Sequence, residues 1–298
     1  MFALKQLLYK LNTQENISLA PFSSMKVGGK ARFFVVINNS INLCELDKAL
    51  KEHDYKKHIL SGGSNTLFSD QEFLGVVIKL ANTFDYIKQI NNLEFEVGAS
   101  TSYAKLTKLF LSLGDASALG WLGTPGLVGG ALRMNAGSSL GVIGDVVESI
   151  TGILDGQEIT FYKKDLVYSY RSTNLPQNFI ITKAHLKASP IANKESLLVK
   201  ALELKQKRLL TQPRNSSLGS FFKNPLPLFA GKLIENAGLK GSSIGDAQVS
   251  PIHANFIINT NKATASDVIL LANTIKTKVY NEFNSILEPE IKLIGEDW

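Results

Sequence analysis

The stretch GTPGLVGGALRMNAG occupies residues 123–137, and five of its fifteen residues are glycine. A flexible linker is rich in Gly and Ser and poor in apolar side chains. This one carries the Leu127-Val128 pair, Pro125 and Arg133. Glycine packed this densely among apolar residues marks backbone that something else must approach closely, because no Cβ stands in the way. The same signal returns in Ser61-Gly62-Gly63-Ser64-Asn65, directly after the short apolar run His58-Ile59-Leu60. N–H groups exposed in such turns form concave nests that hold phosphate oxygens. Taken alone, either turn reads more readily as structural. Neither G-x-G-x-x-G nor GxxxxGK[ST] occurs, so a nucleotide, if bound, is held in another way.

Outward from these turns the chain alternates strand-like and helix-like segments. A basic, apolar N-terminus, MFALKQLLYKLNTQEN, has helical spacing; RFFVVIN (32–38) and GVVIKL (75–80) read as strands. Between them, NLCELDKALKEHD (42–54) sets Leu43, Leu46 and Leu50 on one helical face, making a small α/β unit over 1–80. Further on, LEFEVGAS (93–100) and VVESITGIL (146–154) surround a helix at 102–113, and Asp155-Gly156 predicts a hairpin over 154–162. A long helix over 193–210 ends at Gln212-Pro213, since the residue before proline leaves helical geometry. In the last third, KLIENAG (232–238) is a short helix stopped by Gly238, and HANFIIN (253–259) is a strand. Thr264 and Asp267 form a capping box ahead of a helix with the apolar stripe Val268, Leu271, Ala272, Ile275 and Val279. EPEIKLI (288–294) closes the chain as a strand that carries Glu290 and ends at Gly295. The expected organisation is α+β with domains at 1–80, 81–205 and 206–298.

The 298 residues, 44% apolar and 19% charged, suffice for two or three cores and argue against disorder. No run approaches the roughly 20 apolar residues of a membrane span, and the N-terminus lacks signal-peptide features. A soluble, cytoplasmic protein is expected. Cys44 is the single cysteine, and His53, His58, His185 and His253 show no metal-ligand spacing, so no disulfide and no metal is expected. The net charge of +6 comes from dispersed Lys and Arg; even KQKRLLTQPR (205–214) is interrupted by apolar residues. Nucleic-acid binding would concentrate them on one face, whereas a polyanionic small substrate fits dispersed basicity.

Three further places could carry chemistry. Arg171, in Tyr170-Arg171-Ser172-Thr173, can clamp a carboxylate with two parallel hydrogen bonds; alone it reads as a surface arginine. Ser220 and Lys223 flank two aromatics in LGSFFKNP (218–225). Without an adjacent histidine or a GxSxG elbow, Ser220 is not a hydrolase nucleophile but can donate a proton. Glu290 is a lone carboxylate in an apolar setting.

Taken in order, SSMKVGGKA, LSGGSN, GTPGLVGGALRMNAG, SYRST, GSFFKNP, AGKLIENAGLKG, VSPIHANFIIN and LEPEIKLIGE span residues 23–296. This series resembles the UDP-N-acetylenolpyruvoylglucosamine reductase family, flavoenzymes of bacterial peptidoglycan synthesis, in its shorter subtype. The resemblance implies an FAD-binding pair of α+β subdomains of the vanillyl-alcohol-oxidase type (1–80 and 81–205) and a substrate-binding domain (206–298). Ser61, Gly62, Gly63, Ser64 and Asn65 would cradle the FAD pyrophosphate. Gly123, Thr124, Pro125, Gly126, Gly129 and Gly130 would lie against the flavin and its ribityl-phosphate arm, with Asn135-Ala136-Gly137 closing the turn and Arg133 near the cofactor. Related sugar oxidases carry histidine where Ser64 stands, so non-covalent FAD is implied. NADPH would be the reductant and a UDP-sugar the substrate, bound in part by Lys223, Asn224, Lys232 and Asn255; a monomer is expected, with neither nucleic acid nor membrane as partner.

The implied chemistry assigns three roles. Hydride addition to an enol ether leaves negative charge on the α-carbon and carboxylate, which Arg171 would stabilise. Ser220 would protonate the α-carbon. Glu290, beside the same carboxylate, would be held protonated as a hydrogen-bond donor. Two positions depart from the family pattern: Met25 replaces a small residue, which puts one FAD contact in doubt, and Thr173 replaces a serine but keeps the hydroxyl. The alternatives are another flavin oxidoreductase of this fold acting on a sugar, and a non-catalytic nucleotide-binding protein.

Overall fold

The computed structural model describes residues 2–190 and 193–295. They form two compact units, each assembled from separate stretches of chain. Among the described residues the first draws on the stretches within 1–14, 33–61 and 75–207, and the second on those within 15–32, 62–74 and 208–298.

In the first unit, helix Ser40–Glu52 starts where the Asn39 side chain accepts the Asn42 N–H at 2.8 Å, satisfying one orphan donor of the first turn. It buries Leu43, Leu46 and Leu50, the face read from the sequence. Strand Lys57–Leu60 pairs in parallel with strand Phe73–Leu80, from Lys57↔Val76 to Leu60↔Lys79, and delivers the chain to Ser61. A second sheet, antiparallel throughout, runs in the order Gln157–Tyr162, Val147–Leu154, Ile180–Lys187, Glu94–Gly98, Ile87–Gln89. Its hairpin turns on Asp155 (φ 55°) and Gly156 (φ 80°), left-handed at both positions as a type I′ turn demands. Helix Tyr103–Leu113 ends at Gly114 with φ 90°. Between helix and sheet, Trp121 packs on Tyr103 at 5.6 Å and on Phe110 at 5.2 Å between ring centroids. All three are among the most buried side chains of the molecule.

The second unit is built on a four-stranded sheet in the order Ser216–Ser217, Ile257–Asn259, Ala247–Val249, Ser243–Ile244. The strand expected over 253–259 is confined to Ile257–Asn259. His253 and Asn255 are drawn into a turn instead, with Phe256 N–H donating to His253 O at 3.0 Å and Asn255 N–H to His253 Nδ1 at 3.2 Å. Helix Ala265–Phe283 has the capping box read from the sequence, Thr264 with Asp267, and buries the whole stripe Val268, Leu271, Ala272, Ile275 and Val279. Each of its larger apolar side chains contributes about 2 kcal/mol on burial. A distant carboxylate also caps this helix: Asp70 accepts the N–H groups of Ala265 and Ser266 at 2.8 and 2.9 Å. Residues 62–74 fold here, and not with the N-terminal segment, because Thr66–Phe68 pairs in parallel with Lys292–Ile294. That pairing also shortens the closing strand, so Glu290 stands just before it and not within it.

Among the described residues, no helix is long and apolar enough to cross a membrane.

Candidate active site

The glycine-rich stretch of the first unit folds into a turn, a short helix and a second turn. Gly123 and Gly126 adopt φ 69° and 114°, and the Gly126 carbonyl accepts the Tyr103 N–H at 3.0 Å. The chain then enters helix Val128–Arg133, whose first N–H groups are taken by Thr101 O (2.9 Å, from Val128) and Ala99 O (2.8 Å, from Gly129). Gly129 lets this helix lie on the backbone of Ala99: a Cβ there would sit 3.1 Å from the Ala99 Cβ. Gly130 faces Ser61, and a Cβ would fall 2.9 Å from Ser61 Oγ. That hydroxyl is buried with no hydrogen-bond partner among the described residues.

Arg133, expected near the cofactor, is engaged by backbone carbonyls. Its guanidinium donates to the carbonyls of Leu175 at 3.1 Å and Pro176 at 2.8 Å, and also to Phe179 O. It braces the 175–179 loop, and burial lowers its pKa without removing its charge. Asn135 is buried at φ 44°, with Nδ2 donating to Ser169 O and Oδ1 accepting from Gly144 N–H, both at 3.2 Å. The Ala136 carbonyl accepts the Tyr103 hydroxyl at 3.0 Å. Burial raises the pKa of that phenol well above its usual value; nearby Asp145 adds to the rise and Arg171 opposes it, so the hydroxyl stays a donor.

Arg171 sits in a two-residue turn between strands Tyr168–Ser169 and Ser172–Thr173. Its φ of 60° is rare for a side chain of this size. Nη1 donates to Gly137 O at 2.7 Å, and the guanidinium carbon lies 5.2 Å from the Tyr170 ring centroid. Beside it, Tyr168 OH and Thr173 Oγ1 are buried without a hydrogen-bond partner among the described residues. Tyr103 is the anchor that sequence reasoning misses; as a Tyr opening an amphipathic helix, it looks like a core residue.

In the second unit the Gly63 turn is closed by its own chain. Gly63 has φ 61°, its carbonyl accepts the Ser24 N–H at 3.0 Å, and a Cβ would overlap Phe22 O at 1.8 Å. Asn65 ties this turn to Glu290: Nδ2 donates to Glu290 O at 3.2 Å, and Lys292 N–H donates to Asn65 O at 2.9 Å. Glu290 N–H in turn donates to Phe221 O at 2.8 Å, next to half-buried Ser220. The structure therefore brings Ser220, Glu290 and the 63–65 turn together through one run of backbone bonds.

Of the expected substrate residues of this unit, the two asparagines also hold backbone in place. Asn255 is buried and clamps Phe222, accepting its N–H at 3.0 Å and donating to its carbonyl at 2.8 Å. Asn224 Oδ1 accepts the Ala230 N–H at 3.0 Å and so caps helix Ala230–Asn236. Lys223 pairs with Glu288 at 3.1 Å, while Lys232 is exposed on that helix. Met25 is wholly buried, in a core that also contains Val27, Leu67 and Phe221. It is a packing residue. Among the described residues no group of three or more His, Cys, Asp or Glu is placed to hold a metal.

Two family models match this chain: "FAD binding domain" over residues 31–160, and "UDP-N-acetylenolpyruvoylglucosamine reductase, C-terminal domain" over residues 212–294. The UDP-N-acetylenolpyruvoylglucosamine reductase of Halalkalibacterium halodurans is 37% identical, across 94% of either chain. That of Trichormus variabilis is 38% identical, over 93% of this chain and 85% of its own. The crystal structure of the Thermus caldophilus reductase (MurB) superposes with a TM-score of 0.81 at 32% identity, covering 94% of this chain and 98% of that one. The residues present fit an FAD. Gly130 keeps backbone open beside the unpartnered Ser61 hydroxyl, and Gly123 and Gly126 hold the preceding turn in geometry that offers N–H groups without side chains. On these grounds the chain belongs to the UDP-N-acetylenolpyruvoylglucosamine reductase family.

Proposed function

We infer that this chain reduces UDP-N-acetylglucosamine enolpyruvate to UDP-N-acetylmuramate at the expense of NADPH, a step of peptidoglycan precursor synthesis. The observation that carries the reading is similarity along nearly the whole chain, through both the FAD-binding stretch and the C-terminal stretch, to reductases of that name. FAD, when bound, supplies the hydride relay between NADPH and the enol ether. Ser61, the Gly62–Asn65 turn and the 123–130 backbone would hold it.

The remaining chemistry belongs to side chains. Hydride arriving at the terminal carbon leaves charge on the α-carbon and carboxylate, and Arg171 meets the carboxylate with a permanently charged planar fork. Its backbone is already fixed by the hairpin and its Nη1 by Gly137 O, so little reorganisation is needed at the moment of reaction. Ser220 hands its proton to the α-carbon, and a protonated Glu290 donates a hydrogen bond to the substrate carboxylate. Lys223 and Lys232 are assigned to the substrate's anionic groups, Lys223 by exchanging its pairing with Glu288. Because NADPH and nucleotide sugars are cytoplasmic metabolites, the reading carries with it a cytoplasmic enzyme, working as a monomer.

The test is colour. Purified protein should be yellow, bleach with NADPH under nitrogen, and recover its absorbance when the enolpyruvyl substrate is added. A colourless protein, or a bleached one that the substrate leaves reduced, sinks the proposal. Ser220→Ala should bleach normally and recover about 10²-fold more slowly, the range of a lost general acid.

A further inference from the structure

The Asn135–Gly137 turn and the Arg171 hairpin are joined twice. Asn135 donates to Ser169 O, two residues before Arg171, while its own oxygen is anchored by Gly144 N–H. Gly137 O then receives the Arg171 guanidinium. The hairpin has two paired rows, Tyr168↔Thr173 and Ser169↔Ser172, with Asn174 closing its base through Val167, and so short a ribbon draws part of its stability from what it packs on. At its tip Arg171 holds φ 60°, a conformation that persists only where the surroundings impose it. Asn135 is equipped to impose it, being buried and engaged by backbone at both ends of its amide. Asparagine is also one of the few residues at ease with φ 44°.

We propose that Asn135 is a positioning residue for the substrate half-reaction: its amide fixes Ser169, and through it the aim of the Arg171 guanidinium, and it makes no contact with the cofactor. The proposal rests on the reading that Arg171 clamps the substrate carboxylate.

The experiment uses FAD-loaded enzyme and resolves bleaching by NADPH from recovery with the enolpyruvyl substrate in a stopped-flow instrument. Asn135→Gly keeps the left-handed backbone and loses both hydrogen bonds. Asn135→Asp keeps the oxygen facing Gly144 and loses the donor to Ser169. Both variants should retain FAD and bleach within about 2-fold of the parent, yet recover about 10²-fold more slowly, the cost of a misplacement of about 1 Å. Arg171→Ala should recover at least as slowly, and adding Asn135→Gly to it should slow recovery no further, because a residue that acts through another has nothing to add once that other is gone. Additive slowing in the double variant overturns the proposal, as does equal slowing of both half-reactions or loss of FAD from both Asn135 variants. If Arg171→Ala recovers like the parent, the carboxylate-clamp reading itself fails, and this inference with it. That outcome is told apart from the others by the single variant alone.

Discussion

Two glycine turns of this protein look alike in sequence and differ in what their glycines are for. At Gly63 a methyl group would overlap the carbonyl of Phe22 at 1.8 Å, and the backbone is left-handed. At Gly130 the nearest atom to a new methyl is the hydroxyl of Ser61 at 2.9 Å, on a side chain that can turn away, and the backbone is helical. The first glycine is demanded by the protein's own chain. The second faces only a serine side chain, whose hydroxyl has no hydrogen-bond partner among the described residues. A glycine that folding demands and a glycine that a ligand could use thus differ in whether rigid backbone or the movable end of a side chain lies opposite.

Substitutions can break that distinction. Gly63→Ala should cost the second unit about 4 kcal/mol or more, since left-handed strain and a rigid overlap combine; near-normal thermal unfolding would show that the turn can yield. Arg133→Met should come next, at about 3 kcal/mol, by stranding three carbonyls of the 175–179 loop. Loss of FAD at unchanged stability would instead return Arg133 to the cofactor. Acid should then find the strand that leads into Ser61. Burial pulls the His58 pKa from 6.5 down to about 4, so the folded protein resists a proton that the unfolded chain accepts. The neutral imidazole leaves stability intact above pH 6.5; it is lost progressively as pH falls toward 4, about 2 kcal/mol of it by pH 5. His58→Gln should flatten that limb of a stability-against-pH curve, and an unchanged limb would reject the assignment. Smallest is Gly130→Ala. Stability should hold or rise slightly, because alanine is the better helix former, while FAD affinity falls about 10-fold, or about 1.4 kcal/mol. Unchanged affinity, measured by fluorescence titration of the apoprotein, would make Gly130 a packing glycine like Gly63.

What could be read ahead of the structure was local. The Asp155-Gly156 turn, the Thr264-Asp267 box and the stripe from Val268 to Val279 each depend on residues a few positions apart, and each is found as read. The long-range partners were not legible. Arg133 is spent on carbonyls 42 to 46 residues downstream, and nothing near it in the chain announces them. Asn255 has the look of a ligand residue, and nothing near it announces that its amide also bonds Phe222, 33 residues upstream. Met25 reads as a departure from a family pattern until its burial shows it to be core. The interleaving of the units was hidden for the same reason: the short strand at Thr66 finds its partner only at Lys292. Site segments were recognisable by their order along the chain, whereas which atoms of each remain open to a ligand depends on contacts between distant residues.

The interleaving also has a consequence for synthesis. Met25, Val27 and Leu67 belong to a core completed by Phe221, Val268, Leu271 and Ile291, and the Asp70 carboxylate waits for helix Ala265–Phe283. A ribosome adds roughly 5–20 residues per second, so the roughly 200 residues between Leu67 and Val268 take on the order of 10–40 s to emerge. Throughout that interval the nascent chain presents apolar segments with no native partner. Residues 15–32 and 62–74 are therefore the places where a chaperone would be needed, and the second unit can close only once Ile291 and the strand Lys292–Ile294 have emerged.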